Sequence, residues 1–277
     1  MMKQHTLRNT YTFSGKGLHS GKKVTMTVGP AADNTGIVFH RVDLGEEAIV
    51  PALAKYVHKT DRSTSLKKGK AEVRTTEHLL AALVGLGVDN ASVCLDNKEV
   101  PILDGSSQPY ADAILADGLQ EQESEREYFV VEKEVEYTDP ESGSSIKVLP
   151  FDGTEYEVKI DFNSKVIGIQ CAIWNSSVIF ARDLAPARTF CFLKEVKPLL
   201  ALGLIKGGDL SNALVIDEPK GYYGEAVPRF DNECARHKLL DLMGDLALIG
   251  KPLKGRVVAY KPGHKINSKF AALLAAV

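Results

Sequence analysis

Ionisable side chains recur every four residues in residues 236–245, RHKLLDLMGD. His237, Asp241 and Asp245 would form one polar stripe along an α-helix, because four residues are slightly more than one helical turn. The surrounding positions are largely apolar, which predicts a buried helix, and buried polar groups cost free energy unless a partner satisfies them. A metal ion would satisfy His and Asp at positions i and i+4. A surface-facing stripe or a buried His–Asp hydrogen bond is the alternative.

Composition excludes several function classes. The 277 residues are 44% hydrophobic and 25% charged, with a formal net charge of −2, which predicts a soluble globular protein without a nucleic-acid partner. Residues 1–8 are polar and do not form a signal peptide, and no run of about 18 apolar residues predicts a transmembrane segment. The four cysteines are scattered without a C-x-x-C pair, which predicts reduced thiols in a cytoplasmic protein.

The order of strands and helices predicts an α+β fold of two similar domains, each a β-sheet covered by helices. In the first part of the chain, strands are predicted at residues 10–13, 23–28, 36–40 and 90–95, a basic hairpin-like excursion at 59–70, and helices at 75–86 and 110–119. In the second part, strands are predicted at 128–135, 145–150, 155–162, 170–173 and 256–260, and helices at 192–202, at 232–249 behind an Asp231 cap, and from 267. The charged run 120–127 is the candidate linker, which places the domains at 1–122 and 123–277.

Two further histidines lie at positions that are typical of catalytic residues. His78 follows Glu77 at the start of an apolar helix, so the pair can be a metal ligand beside a general base, or a capping glutamate beside a partly buried histidine. His264 is predicted in a loop between a strand and a helix, where catalytic side chains often lie, although a simple loop histidine is the alternative.

Several motifs gain meaning from their common order. They are residues 15–21 (GKGLHSG), 75–79 (TTEHL), 100–106 (VPILDGS), 187–190 (ARTF), 236–246 (RHKLLDLMGDL) and 263–264 (GH). Each is weak alone, but together they span essentially the whole chain. The series closely resembles the UDP-3-O-acyl-N-acetylglucosamine deacetylases, the zinc amidases of lipid A synthesis.

The resemblance implies a metal centre and its base. His78, His237 and Asp241 would bind one Zn²⁺, with water in the fourth position, and Fe²⁺ is an alternative ion for the same ligands. Glu77 would take the proton of the attacking water. The implied reaction removes the N-acetyl group of UDP-3-O-(3-hydroxyacyl)-N-acetylglucosamine as acetate, the committed step of lipid A biosynthesis.

The resemblance also implies roles for four more side chains. Thr189 would donate a hydrogen bond to the oxyanion formed by attack on the amide. His264 would be the cation or acid that helps the amine leave, and Asp245 would orient it and hold its charge. Lys238, one step off the metal stripe, would contact a substrate phosphate or a transition-state oxygen rather than the metal.

The family's fold packs the helical layers of its two domains face to face, with the site between them and one small insert per domain. The first insert would be the excursion at 59–70, and the second, near 167–215, would form a passage for the acyl chain. Candidate walls of the passage are Phe190, Val196, Leu202, Gly208 and Val215, each of which could equally be ordinary core. His19 and His58 resemble positions near the site and are binding candidates.

The predicted partner is a glycolipid nucleotide rather than a macromolecule. A monomer is expected, or an oligomer if the chain is fused to a 3-hydroxyacyl-carrier-protein dehydratase, as the apolar end at 270–277 would suit. One rival function is a zinc amidase acting on another N-acylated sugar or a peptide. The other is a non-enzymatic protein with a closed structural metal site, to which Cys234 could contribute.

Overall fold

Two five-stranded sheet paths with the same strand order form the framework, and the computed structural model describes residues 2–276 of the chain. The first sheet has the order β2–β3–β9–β4–β5, made of β2 (Tyr11–Lys16), β3 (Lys23–Pro30), β4 (Ile37–Arg41), β5 (Ile49–Pro51) and β9 (Ala91–Leu95). The second has the order β12–β13–β19–β14–β15, made of β12 (Val135–Thr138), β13 (Ser145–Leu149), β14 (Thr154–Asp161), β15 (Ile169–Trp174) and β19 (Leu253–Tyr260). A short strand, β11 (Phe129–Val130), pairs in parallel with β19.

The two sheets share their strand directions as well as their order. In each, the last strand lies in the middle, parallel to the third and antiparallel to the second. Each last strand also lies between two helices in the sequence. These helices are α1 (Glu77–Gly85) and α2 (Gln108–Asp117) around β9, and α5 (Glu233–Leu246) and α6 (His264–Ala275) around β19. The predicted α+β plan of two similar units is therefore confirmed, and α1 and α5 occupy equivalent places in it.

Helix α5 is central because almost all of its circumference is covered. It packs on α1, α6, β14 and β15, and its buried side chains include the polar stripe as well as the apolar positions. A helix that is covered on every side can carry a polar stripe only if groups inside the protein satisfy that stripe.

The contact between α1 and α5 is very close at one glycine. A Cβ on Gly244 would overlap the backbone carbonyl of Glu77. The absence of a side chain at Gly244 therefore lets the N-terminal turn of α1 approach the middle of α5. This approach brings Glu77 and His78 to the polar stripe.

Each unit carries a small three-stranded insert. The first consists of β6 (Val57–Lys59), β7 (Ser65–Lys68) and β8 (Ala71–Val73), in the region where a hairpin-like excursion was predicted. The second contains β16 (Phe190–Phe192), helix α4 (Leu193–Ala201), β17 (Leu214–Asp217) and β18 (Gly221–Tyr222). A single turn of helix, α3 (Phe180–Asp183), precedes it.

The charged run 120–127 is not a linker through most of its length. Residues 119–125 form β10 (Leu119–Glu125), which pairs antiparallel with β1 (Lys3–Leu7). Because β10 has no fully buried side chain, hydropathy gave no strand signal, and backbone pairing with β1 determines its conformation. The predicted boundary between residues 122 and 123 falls inside β10, and the division at that boundary stays a prediction.

Other element boundaries also differ from the prediction, most by a few residues. The predicted strand at 128–135 is divided between β11 and β12. Asn232, rather than Asp231, precedes α5, and its side chain makes no capping hydrogen bond. Helix α6 begins at His264, so this histidine lies in the first turn of a helix and not in a loop. Within residues 2–276, none of the helices combines the length and apolarity needed to cross a bilayer.

Gly244→Ala is expected to destabilise the protein, because its methyl group would collide with backbone that cannot rotate away. Overpacking typically costs about 1–3 kcal/mol, and a backbone collision should lie at the upper end. The free energy of unfolding in urea would measure the loss. Gly263→Ala is the matched control, since its Cβ would meet no atom within 4 Å. Equal stability of the two variants would contradict the close α1–α5 contact.

Candidate metal centre

Three buried side chains from the two central helices converge. His78 on α1 and His237 and Asp241 on α5 each offer one ligand atom, and these atoms lie within 4.8 Å of one another. The Nε2 atoms of His78 and His237 are 3.5 and 3.4 Å from Asp241 Oδ1. Two imidazole nitrogens and one carboxylate oxygen are a typical ligand set for a catalytic zinc site.

The tautomer of His237 follows from its other nitrogen. Nδ1 lies 3.0 Å from the carbonyl oxygen of Ala187, and a carbonyl can only accept, so Nδ1 carries the proton. The lone pair of Nε2 therefore points toward Asp241 and His78. A backbone acceptor on the outer nitrogen is the usual arrangement for a metal-ligating histidine.

Asp241 has one satisfied oxygen and one without a partner. Its Oδ2 accepts a hydrogen bond of 2.8 Å from Lys238 Nζ, whereas Oδ1 is buried and has no hydrogen-bond donor among the described residues. A buried carboxylate oxygen without a donor is costly, and a cation between it and the two histidines would compensate. The residues present therefore fit a divalent metal ion.

Glu77 lies beside the ligand cluster at the start of α1. Its Oε2 accepts a hydrogen bond of 3.0 Å from the backbone N–H of Thr64, and its Oε1 is 3.8 Å from His264 Nε2. Burial raises the pKa of Glu77, although the nearby His264 and His78 oppose that rise. A carboxylate held at one oxygen and free at the other can exchange a proton at the free oxygen.

His264 is held by Asp245, the last member of the polar stripe. Its Nδ1 donates to Asp245 Oδ2 over 2.9 Å, which leaves Nε2 facing Glu77 and Asp241. Burial disfavours the charged imidazole, but the carboxylates of Asp245, Glu77 and Asp241 outweigh burial and raise the pKa of His264 to about 9. His264 is therefore a cation at neutral pH. In contrast, burial lowers the pKa of His237 to about 3, which keeps it neutral and able to bind a metal.

The motifs at 100–106 and 187–190 hold the residues of the centre in position. Ser107, which directly follows the 100–106 motif, donates its hydroxyl hydrogen to the carbonyl oxygen of His78 over 2.6 Å. Gly105 has a positive φ of 81°, and its carbonyl accepts from the backbone N–H of Thr189 over 2.8 Å. The Arg188 Nε donates to Glu233 Oε1 over 2.9 Å and so fixes the 187–190 motif to the start of α5. These two motifs therefore hold the ligands and Thr189 in place.

A cavity of about 270 Å³ opens onto the centre. All the residues predicted for the centre line this cavity except Asp245, which is fully buried and hydrogen-bonded to His264. These lining residues are Glu77, His78, Thr189, His237, Lys238, Asp241 and His264. The rest of the lining is mostly apolar and comes largely from the second insert. It includes the predicted residues His19, Phe190, Val196, Gly208 and Val215.

Two predicted binding residues lie elsewhere. Leu202, just after α4, is 75% exposed and outside the lining, and His58 is an exposed residue of β6, also outside it. Position in the sequence near an insert could not tell an inward from an outward side chain. The structure adds lining residues that the sequence did not single out: Leu18, Arg62, Cys191, Leu193, Leu199, Ile205, Asp209, Leu210, Ala213 and Tyr223. Apart from the amphipathic pattern of α4, these residues carry no local signal.

Comparison with known proteins gives one family over nearly the whole chain. The model of the family described as "LpxC: UDP-3-O-acyl N-acetylglycosamine deacetylase" matches residues 4–276.

Similar curated relatives are of two kinds. The "Bifunctional enzyme LpxC/FabZ" of Porphyromonas gingivalis is 46% identical over 297 residues, covering 99% of this chain and 64% of the relative. The UDP-3-O-acyl-N-acetylglucosamine deacetylase of Myxococcus xanthus is 43% identical, covering 96% of this chain and 84% of the relative. That of Pseudomonas entomophila is 41% identical, covering 100% and 91%. The chain thus spans less than two thirds of the bifunctional relative and most of the other two.

The cysteines are not part of the metal-ligand cluster of the described residues. The metal-ligand cluster found among the described residues consists of His78, His237 and Asp241, and all four cysteines are free thiols. Cys234 is fully buried on α5, and burial together with the nearby Glu233 raises the pKa of its thiol to about 12. The geometry therefore gives no support to a closed site that includes Cys234.

The thiols should differ sharply in reactivity. At pH 8, exposed Cys171 should react rapidly with a thiol reagent, whereas Cys234 should react only after unfolding, because it is buried and its thiolate is scarce. Mass spectrometry of the labelled peptides over time would measure both rates. Rapid labelling of Cys234 in the folded protein would contradict this placement.

Proposed function

The chain belongs to the LpxC family of UDP-3-O-acyl N-acetylglycosamine deacetylases, and we propose that it hydrolyses the N-acetyl group of UDP-3-O-(3-hydroxyacyl)-N-acetylglucosamine. The products would be acetate and the free amine, in the committed step of lipid A biosynthesis. The observation that carries the proposal is the His78–His237–Asp241 cluster beside Glu77, at the inner end of a largely apolar cavity.

We propose Zn²⁺ as the ion held by His78, His237 and Asp241, with Fe²⁺ as the alternative, since the ligand set suits both. When bound, such an ion supplies Lewis acidity that polarises an amide carbonyl and lowers the pKa of water to roughly 7. The protein contributes the neutral imidazole of His237, a carboxylate oxygen of Asp241 without a donor, and a buried setting that strengthens charge interactions.

Glu77 is the proposed general base. Its Oε2 is occupied by the Thr64 N–H, so Oε1, on the side of His264, would take the proton of the attacking water. Thr189 would donate its hydroxyl hydrogen to the oxygen on which negative charge develops. The backbone bonds of Thr189 to Gly105 and Leu214 fix its position on the cavity wall.

His264 is the proposed acid. It is cationic at neutral pH and directs Nε2 toward the cavity, so it would donate a proton to the departing amine and offset the oxyanion's charge. Asp245 orients the ring through Nδ1. Lys238 holds the ligand Asp241 through Oδ2 and also lines the cavity, where its ammonium would contact a substrate oxygen.

The apolar part of the cavity would bind the acyl chain of the substrate. Phe190 lines the cavity beside the centre, with its ring 6.3 Å from that of His237 and 5.5 Å from that of Phe162. Val196 and Val215 continue the apolar wall from α4 and β17. We place the reaction in the cytoplasm, which suits the free thiols, and we expect a monomer unless the chain is part of a bifunctional enzyme.

The proposal is tested by incubating the purified protein with UDP-3-O-(3-hydroxyacyl)-N-acetylglucosamine and measuring free acetate. We expect release that a chelator abolishes and added Zn²⁺ restores. Folded, zinc-loaded protein that releases acetate from other N-acetylated sugars and not from this one would overturn the substrate assignment in favour of another amidase.

Glu77→Gln should bind zinc normally but lose rate by about 10²- to 10⁴-fold, as expected when a general base is removed. His237→Ala should lose both zinc and activity, because it removes a ligand. Zinc content by atomic absorption, measured beside acetate release, separates the two cases. Loss of zinc from Glu77→Gln would instead make Glu77 a ligand.

Polar substitution in the passage should affect long acyl chains selectively. Val215→Asn is expected to lower kcat/KM for the long-chain substrate by about tenfold or more, since a buried apolar side chain contributes about 1.5–3 kcal/mol. Hydrolysis of an unacylated analogue should change little. Leu202→Asn is the matched control, because Leu202 is exposed and outside the cavity. Equal losses on both substrates would count against the passage.

A further inference from the structure

The segment between β6 and β7 reaches the catalytic side chains through one residue, Thr64. It is completely buried, although it belongs to an insert whose neighbouring residues Asp61 and Arg62 are exposed. The geometry points to Thr64 as a positioning residue for both proposed proton-transfer groups. This inference rests on the proposed function and deepens it.

The backbone of Thr64 is fixed to the start of α1. Its N–H donates to Glu77 Oε2 over 3.0 Å, and its carbonyl oxygen accepts from the backbone N–H and the hydroxyl of Thr76, both at 3.3 Å. One oxygen of Glu77 is thereby held. The other oxygen is left to face the cavity.

The hydroxyl of Thr64 is fixed to the other half of the chain. Its Oγ1 lies 2.5 Å from Asp245 Oδ1 and 3.4 Å from His264 Nδ1. An ionised carboxylate only accepts, so the hydroxyl hydrogen points at Asp245. His264 Nδ1 must then donate to Asp245 Oδ2 rather than accept from Thr64.

The two oxygens of Asp245 are supported unequally. Oδ2 accepts from both His264 and Asn267 Nδ2, each at 2.9 Å, whereas Thr64 is the donor that the described residues supply to Oδ1. Without the Thr64 hydroxyl, Oδ1 would be a buried acceptor with no donor, and the carboxylate could rotate. The direction of His264 Nε2 depends on that carboxylate. Thr64 therefore acts on His264 through Asp245, and it does not touch the reacting atoms.

The variants separate the hydroxyl from the packing. Thr64→Val keeps the shape and removes the donor, so kcat should fall about 10- to 100-fold, the usual loss for an outer hydrogen-bond partner in a metal site, with KM changed less than about twofold. Thr64→Ser keeps the donor and should retain most of the activity. Thr6→Val is the matched control, because Thr6 is also buried and donates its hydroxyl to a backbone carbonyl, of Asn90, far from the centre.

A double-mutant cycle tests the route of action. If Thr64 works through Asp245, Thr64→Val should cost nothing further in an Asp245→Ala background, whereas independent losses would multiply. Three results would overturn the inference. The losses in kcat could multiply in the double variant, Thr64→Val could keep the wild-type kcat, or Thr64→Ser could lose as much kcat as Thr64→Val. If Thr64→Val does not fold, as judged by thermal unfolding, Thr64→Ala takes its place in the same cycle.

A readout without turnover distinguishes this inference from the proposed function. The proton between His264 and Asp245 should give a downfield NMR resonance that His264→Gln removes. Thr64→Val should shift or lose that resonance, while Thr64→Ser and Thr6→Val should leave it in place. An unchanged resonance in Thr64→Val would overturn the positioning role. If the variants change the resonance as expected but the wild-type protein releases no acetate, only the substrate assignment is wrong.

Discussion

The structure depends on the close contact between α1 and α5. Gly244 lets the backbone of α5 touch the backbone of α1 at Glu77, and every ligand of the candidate metal centre lies on one of these two helices. Because both helices are buried along almost their whole length, three carboxylates and three imidazoles come together where water is scarce. A shift of one helix would separate the ligands and leave several charges buried without partners.

That scarcity of water gives each ionisable group a definite state. Burial keeps His237 neutral, whereas three surrounding carboxylates keep His264 charged. The same residue type is thus suited to bind a metal in one place and to donate a proton in another. The difference comes from neighbours on other elements, so local sequence does not contain it.

How much the sequence could predict follows from which interactions are local. The stripe of His237, Asp241 and Asp245 was readable because helical period alone fixes it, and α5 confirms the helix. Strand β10 was missed because its side chains are polar, and its pairing with β1 lies more than a hundred residues away. Thr64 and Leu202 show the same limit. Their sequence neighbourhoods are unremarkable, and only the fold turns one inward to Asp245 and the other outward to solvent.

The pairing of β1 with β10 has a consequence for synthesis on the ribosome. Every strand of the first sheet and its flanking β1–β10 pair lie within residues 3–125, so this part can complete its backbone pairing while the rest of the chain is still being translated. In such a partly synthesised chain, Glu77 and His78 on α1 would remain uncovered until α5 had been made. The candidate metal centre therefore cannot form until residues 233–246, which carry His237 and Asp241, have been synthesised.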